Sequence, residues 1–270
     1  MDFSDIADRG LVILGCGKMG SALLEGWLAG GLGPHAVAVL EPRPSNWLVA
    51  QGVRLNAGLP ERAAVVLLAV KPQMMAEALP RVRDAVAEDT LVISIAAGTP
   101  LAAFETAFGK TTPIVRAMPN TPAAVGRGIT ALVGNAAAGP AQLDLAEALM
   151  GAVGATVRLQ GEDQINAVTA LSGGGPAYVF HLIEAMAAAG VAQGLAPDLS
   201  MTLARATVCG AGELAHRSDE TAEQLRINVT SPGGTTAAAL AHLMDADAGL
   251  PPLMARAVAA ATARARELAG

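Results

Sequence analysis

The sequence predicts an α/β N-terminal domain with a mainly parallel sheet, followed by an all-α domain. Three observations carry this expectation. Short β-branched runs alternate with alanine- and leucine-rich stretches of helical length through the first part of the chain. A glycine-rich turn follows the first of those runs, and no convincing strand occurs from Gln164 to Gly270. Strand candidates that are apolar throughout, rather than alternating, belong to a sheet covered on both faces, as βαβ units build it.

The first candidate strand, LVIL (11–14), runs into GCGKMGSALLEGWL, which holds Gly15-x-Gly17-x-x-Gly20 between strand and helix. There Gly15 permits a tight turn, Gly17 lets the backbone approach a pyrophosphate, and Gly20 lets helix and strand pack closely. Free N–H groups at the helix start face the anion. Alone the pattern is weak. Its context strengthens it, because the next candidate, VAVLE (37–41), ends in Glu41 about 20 residues on, as a Rossmann-type dinucleotide site requires. Glu41 suits a ribose 2′-hydroxyl, the NAD arrangement, whereas Arg43 suits a 2′-phosphate; both also read as solvated loop charges, and the cofactor preference stays open.

The remaining candidates are VVLLAV (65–70), LVISI (91–95), PIVRAM (113–118), ITALV (129–133) and ATVRL (155–159). Two loops stand out, AVKPQ (69–73) and RAMPNTP (116–122), because loops at the carboxyl ends of parallel strands are where such sheets bind ligands. Pro72 and Pro119 fix loop shape, and Asn120 and Thr121 supply polar groups. Lys71 reads either as a ligand-facing group or as a surface lysine capping a helix start.

A shift of composition near Gly161–Asp163 marks the expected boundary, giving domains 1–161 and 162–270. Beyond it helical runs are broken at GGGP (173–176), GLAP (194–197), TSPGGTT (230–236) and GLPP (249–252), each with the Gly or Pro that punctuates helices. The most exposed-looking break is TSPGGTT. Backbone N–H groups in a Gly-containing turn at a helix start form an anion-binding concavity, and Ser231, Thr235 and Thr236 add directed hydroxyls. A substrate carboxylate suits it; a hydroxyl-capped helix–helix turn is the competing reading.

Composition narrows the function classes. Hydrophobic residues make up 52% of the 270 and charged residues only 16%, so large subunit interfaces are expected. A net charge of −6 without a basic run argues against a nucleic-acid partner. Cys16 and Cys209 are too few for a disulfide framework, and no Cys/His cluster suggests a metal. The acidic start MDFSDIADRG does not resemble a signal peptide. The apolar run YVFHLIEAMAAAGVAQGL contains His181 and Glu184 and reads as a core or interface helix rather than a membrane span, so a soluble cytoplasmic protein is expected. His35, His181, His216 and His242 are scattered, and no G-x-S-x-G supplies a nucleophile. Lysine occurs only at 18, 71 and 110, which excludes a catalytic lysine in the helical half.

Taken in order, ILGCGKMGSALL, LLAVKPQ, ISIAAG, RAMPNTP, ALSGGGPAY and NVTSPGGTT resemble the pyrroline-5-carboxylate reductase family over nearly the whole chain. The resemblance implies hydride transfer from NADPH or NADH, NADPH slightly favoured, to the C=N bond of L-1-pyrroline-5-carboxylate, giving L-proline in the last step of proline biosynthesis. It implies a helical domain that intertwines with a second copy, active sites at the dimer interface, and decamers of dimers as a further option. It places the cofactor on Gly15, Cys16, Gly17, Lys18, Met19, Gly20, Glu41, Arg43, Asn56, Ala69, Val70, Lys71, Pro72, Ala96, Ala97, Met118, Pro119 and Asn120. It places the substrate carboxylate on Ser231, Gly233, Gly234, Thr235 and Thr236, with the Thr236 hydroxyl on the ring nitrogen. Gly174, Asn166, Asp219 and Met244 depart from the family pattern. Two rivals share the architecture: a β-hydroxyacid dehydrogenase, which needs the helical-domain lysine this chain lacks, and a non-catalytic dinucleotide sensor, against which the intact TSPGGTT argues.

Overall fold

A computed structural model describes residues 3–268. The chain begins with a short helix, α1 (Ser4–Arg9), and strand β1 (Leu11–Leu14), then α2 (Lys18–Ala29), β2 (Val37–Leu40), α3 (Asn46–Val49) and β3 (Arg54–Leu55). There follow β4 (Val65–Leu68), α4 (Met75–Ala78), β5 (Leu91–Ser94), α5 (Leu101–Phe108), β6 (Ile114–Met118), β7 (Gly128–Gly134), α6 (Pro140–Gly151) and β8 (Gly154–Arg158). The rest is helical: α7 (Ile165–Val168), a π-helical turn (Thr169–Gly173), α8 (Gly175–Ala192), α9 (Pro197–Arg217), α10 (Ala222–Asn228), α11 (Thr235–Leu243) and α12 (Leu250–Leu268).

One eight-stranded sheet has the order β3-β2-β1-β4-β5-β6-β7-β8. The expected α/β class and mainly parallel sheet hold, and every strand candidate of the sequence lies in it. Two features differ. The two-residue β3 is too short to leave a pattern. Strand β7 runs antiparallel to β6, pairing Val115 with Gly134 and Met118 with Ala131. The cause is the length of the link: a parallel return needs a crossover of about a dozen residues or more, and 119–127 is a Pro- and Gly-containing 3-10 turn instead.

The strands are buried on both faces, which is why their sequences do not alternate. Leu11 and Ile13 of β1 face Leu23, Leu24 and Trp27 of α2 in one core layer. Val12 and Leu14 face the opposite layer, with Val66, Val82 and Phe104. The Trp27 indole N–H donates to the Leu149 carbonyl of α6 (2.8 Å), so the largest buried side chain has no orphaned polar atom.

Packing divides the chain into a first unit, running to Gly173 and rejoined by the chain from Thr262, and a second unit, Gly174–Ala261. The division falls later than the change of composition at 161. The segment after β8 is tied to the sheet at both ends: the Glu162 carboxylate accepts the Leu101 N–H at the start of α5 (2.7 Å) and a hydrogen bond from the Arg116 guanidinium of β6 (2.5 Å), and the Ser172 carbonyl accepts from the Asn120 NH2 (3.1 Å). In the second unit α8 and α9 pack as an antiparallel pair, joined by a turn at 193–196 and pinned where the buried Ser200 hydroxyl donates to the Ala187 carbonyl (2.7 Å). Among the described residues of this unit only Ala187, Ser200, Ala204 and Gly249 are buried. Its large apolar side chains, Phe180, Leu182, Leu203 and Leu214 among them, are exposed.

Candidate functional site

The first unit brings most of the predicted dinucleotide residues to the carboxyl ends of β1, β2 and β4, where the strand order reverses direction across β1 and β4. Gly15 leaves β1 with φ +85°, a left-handed conformation, and a Cβ there would lie 2.8 Å from Val70 and 3.0 Å from the Ala69 carbonyl. Its N–H donates to Leu40, and the Ala69 N–H donates to Leu14, so the turns after β1 and β4 are locked together. Gly17 is the N-cap of α2, and a Cβ on it would meet nothing within 4 Å. Gly20 sits under the turn, 3.0 Å from the Gly15 carbonyl measured from a virtual Cβ. The helix start therefore presents unpaired N–H groups to open space.

That space is a cavity of about 620 Å³ lined by Cys16, Gly17, Lys18, Ser21, Glu25, Glu41, Arg43, Ser45 and Trp47. Glu41 is fixed within it. One carboxylate oxygen accepts the Cys16 N–H (2.8 Å) and the other accepts the Arg43 N–H (3.0 Å). The main chain of Glu41 is clamped in turn by Asn56, whose amide oxygen accepts the Glu41 N–H (3.0 Å) and whose NH2 donates to the Glu41 carbonyl (2.8 Å). Asn56 holds φ +50°, which asparagine tolerates. Its side chain thus acts through Glu41. Burial pushes the Cys16 thiol up from its ordinary pKa, the Glu41 charge adds to that, and a Ser21 hydrogen bond opposes both, so Cys16 stays a neutral thiol.

The other predicted positions fall along the same edge. Lys71 is exposed and precedes a 3-10 turn begun by Pro72. Pro72 and Ala97 line a small second cavity of about 130 Å³ with Gln73, Gly98, Asn166 and Thr169. Ala96 is buried behind it, while Met19 packs against the core layer of α2. Met118 ends β6 and abuts Gly173 of the π-helical turn. Asn120 spends its side chain structurally: its oxygen accepts the Ile129 N–H (2.9 Å) and its NH2 donates to the Ser172 carbonyl (3.1 Å). Sequence reasoning missed Ser21, Glu25, Ser45 and Trp47 as lining residues. For Ser45 a signal existed, since it caps α3 by accepting the Leu48 N–H.

In the second unit TSPGGTT is a turn into a helix. Thr230 ends α10's trailing turn, its hydroxyl donating to the Arg226 carbonyl (2.6 Å). The Gly234 N–H donates to the Ser231 carbonyl (3.0 Å), Gly233 takes φ +70°, and Gly234 is the N-cap of α11 with no side-chain cap. Ser231, Thr235 and Thr236 are exposed. A hydroxyl capping role is therefore not what these residues perform at α11, whose first N–H groups remain open to an anion. No group of three or more His, Cys, Asp or Glu able to hold a metal occurs among the described residues.

Comparison with known proteins fits both units. Residues 162–268 match the family model for pyrroline-5-carboxylate reductase dimerisation, and residues 10–98 match that for coenzyme F420-dependent NADP oxidoreductases. The chain is 38% identical over 265 residues to a pyrroline-5-carboxylate reductase of Pseudomonas aeruginosa, covering 96% of each. It is 40% identical to that of a Synechocystis species, covering 96% of this chain and 97% of the relative. Among solved structures, a Coxiella burnetii pyrroline-5-carboxylate reductase superposes with a TM-score of 0.90 at 36% identity, covering 97% of this chain and 99% of the other. A Plasmodium falciparum pyrroline carboxylate reductase with NADP bound gives 0.81 at 28% identity, covering 98% and 99%.

Proposed function

The chain belongs to the pyrroline-5-carboxylate reductase family, and from that membership we propose that it reduces the cyclic imine L-1-pyrroline-5-carboxylate to L-proline with a reduced pyridine dinucleotide. The carrying observation is the TSPGGTT turn: an uncapped helix start with exposed hydroxyls, suited to a small carboxylate, in a chain that also holds a dinucleotide cradle.

The dinucleotide fits its residues. The N–H groups that open α2 would hold its pyrophosphate beside Gly17, where a Cβ would meet nothing within 4 Å. Glu41, Arg43 and Ser45 would hold its adenosine side. The chemistry such a cofactor would supply is a hydride for the imine carbon, the nitrogen taking the C=N electron pair and keeping the iminium proton in the product amine. The protein's own share is positioning. The N–H groups of Thr235 and Thr236, with Ser231 and the Gly233 backbone, hold the carboxylate, and the Thr236 hydroxyl oxygen accepts the iminium N–H. A protonated imine is already electrophilic, so orientation accounts for much of the catalysis and no histidine acid is demanded.

The helical unit supports a homo-oligomer. By length and apolarity the helical stretch 162–192 also qualifies as a membrane span, but the same residues match a dimerisation module, which gives their apolar surface another occupant.

Replacing Thr236 tests the reading. A directed hydrogen bond to a charged nitrogen contributes roughly 1.5–3 kcal/mol, so Thr236→Ala should lower kcat/KM for pyrroline-5-carboxylate by about one to two powers of ten. Dinucleotide affinity should stay unchanged. Thr236→Ser should recover most of the loss and Thr236→Val should not. Equal activity of the Ser and Val proteins would remove the hydroxyl from the mechanism, and dinucleotide binding with no imine reduction by the wild type would favour the sensor instead.

A further inference from the structure

We infer that Glu41 makes this chain selective for NADH over NADPH, resting on the dinucleotide reading given above. The family resemblance slightly favours NADPH, and Arg43 suits its 2′-phosphate; the geometry points the other way. Four observations combine. The Glu41 carboxylate lines the large cavity beside the Gly17 turn, at the end of the strand that follows the glycine loop. Each of its oxygens already accepts one backbone N–H, from Cys16 and from Arg43, which holds the group in a single orientation. Its main chain is clamped at both N–H and C=O by Asn56. Arg43 lines the same cavity but is exposed.

A carboxylate oxygen accepts two hydrogen bonds. With one position on each oxygen used, two remain, and their spacing across a carboxylate matches the vicinal hydroxyls of a ribose. An unphosphorylated adenosine ribose donates both and completes the set. A 2′-phosphate donates nothing at neutral pH, carries about −1.5 to −2 charges, and would have to stand against a carboxylate that cannot swing aside without abandoning two backbone donors. Unpaired N–H groups and like charges in contact both count against NADPH. Arg43 offsets this only through a solvent-screened charge on an exposed side chain, so the fixed carboxylate outweighs it. Glu41 is then a specificity residue that touches the cofactor, and Asn56 a positioning residue that acts through it.

The test reads binding as well as turnover. Nicotinamide fluorescence titrations should give a Kd for NADH lower than that for NADPH by about tenfold or more. Steady-state kcat/KM with pyrroline-5-carboxylate should rank the two cofactors the same way. Glu41→Gln removes the charge but keeps one acceptor oxygen and the shape; it should weaken NADH and strengthen NADPH, shrinking the ratio toward one. Arg43→Ala, which leaves the Glu41 contacts to the backbone in place, should weaken NADPH further and barely change NADH. Equal or tighter NADPH binding by the wild type would overturn the inference while leaving the reductase reading intact. An unchanged ratio in a folded Glu41→Gln protein would do the same. Failure to bind either dinucleotide would sink both.

Discussion

Gly15 and Gly17 stand two positions apart in one motif yet answer different demands, and single substitutions should separate them. A side chain at Gly17 meets no protein atom within 4 Å. Gly17→Val should therefore melt close to the wild type while its dinucleotide Kd rises by at least about tenfold, as expected when a pyrophosphate loses its approach to the backbone. Gly15→Ala faces the opposite situation, with φ +85° and Val70 at 2.8 Å. It should cost about 1–3 kcal/mol of stability, measurable by urea denaturation, before cofactor binding is considered. Unequal stability losses are the diagnostic; if Gly17→Val also lowers the melting temperature, the open space beside it is not a ligand's space. Spacing together with its place between a strand and a helix made this motif legible, because turn, approach and packing each restrict one residue type. The partners of Glu41 were not legible. Its identity and distance from the glycines showed in the sequence, but that Cys16 and Arg43 donate to its two oxygens depends on how two loops meet.

Elements were legible where burial on both faces made strands uniformly apolar, and illegible where a polar contact decided the outcome. The π-helical turn at Thr169–Gly173 and the late packing boundary belong to the second kind, since ALSGGGPAY carries no periodicity that marks them. Glu162 and the Asn120–Ser172 hydrogen bond tie the segment after β8 to the sheet. Glu162 holds a side chain of Arg116 that is only 7% exposed and caps α5 at Leu101. Glu162→Ala would leave that guanidinium buried without its partner, at a cost of about 3 kcal/mol, at the low end for such a loss because the carboxylate itself is a third exposed. Glu162→Gln keeps the acceptor for the Leu101 N–H and should recover part of it. Equilibrium denaturation of the two variants checks the claim; wild-type stability for Glu162→Ala would mean the pair is only a surface contact. Orientation of β7 was equally out of reach, because direction depends on the short 3-10 link after Met118 rather than on the strand's own residues.

At the scale of the molecule the two units have different sources of stability. The first has a core layer on each side of its sheet, as its composition promised. The second holds few buried residues and many exposed leucines, valines and methionines, far more apolar surface than a monomer's helical unit ordinarily leaves in water. The excess of apolar over charged residues foretold an interface, and the family match over 162–268 identifies it as a dimerisation module. Sedimentation at micromolar concentration should accordingly show a dimer or larger species. A stable monomer with full activity would contradict that assignment.

An α8–α9 hairpin with almost no interior of its own has a consequence for how the protein is made. As part of a matched dimerisation module, its helices are expected to find their cover in another chain; the last step of folding would then be bimolecular, with a rate set by how many nascent copies are present. Refolding from denaturant should start alike at all protein concentrations as the sheet unit forms. It should then slow in proportion to dilution, with activity lagging behind sheet formation. Chains produced sparsely would linger half-finished, with their leucines in water, where proteases and aggregation compete with the arrival of a mate.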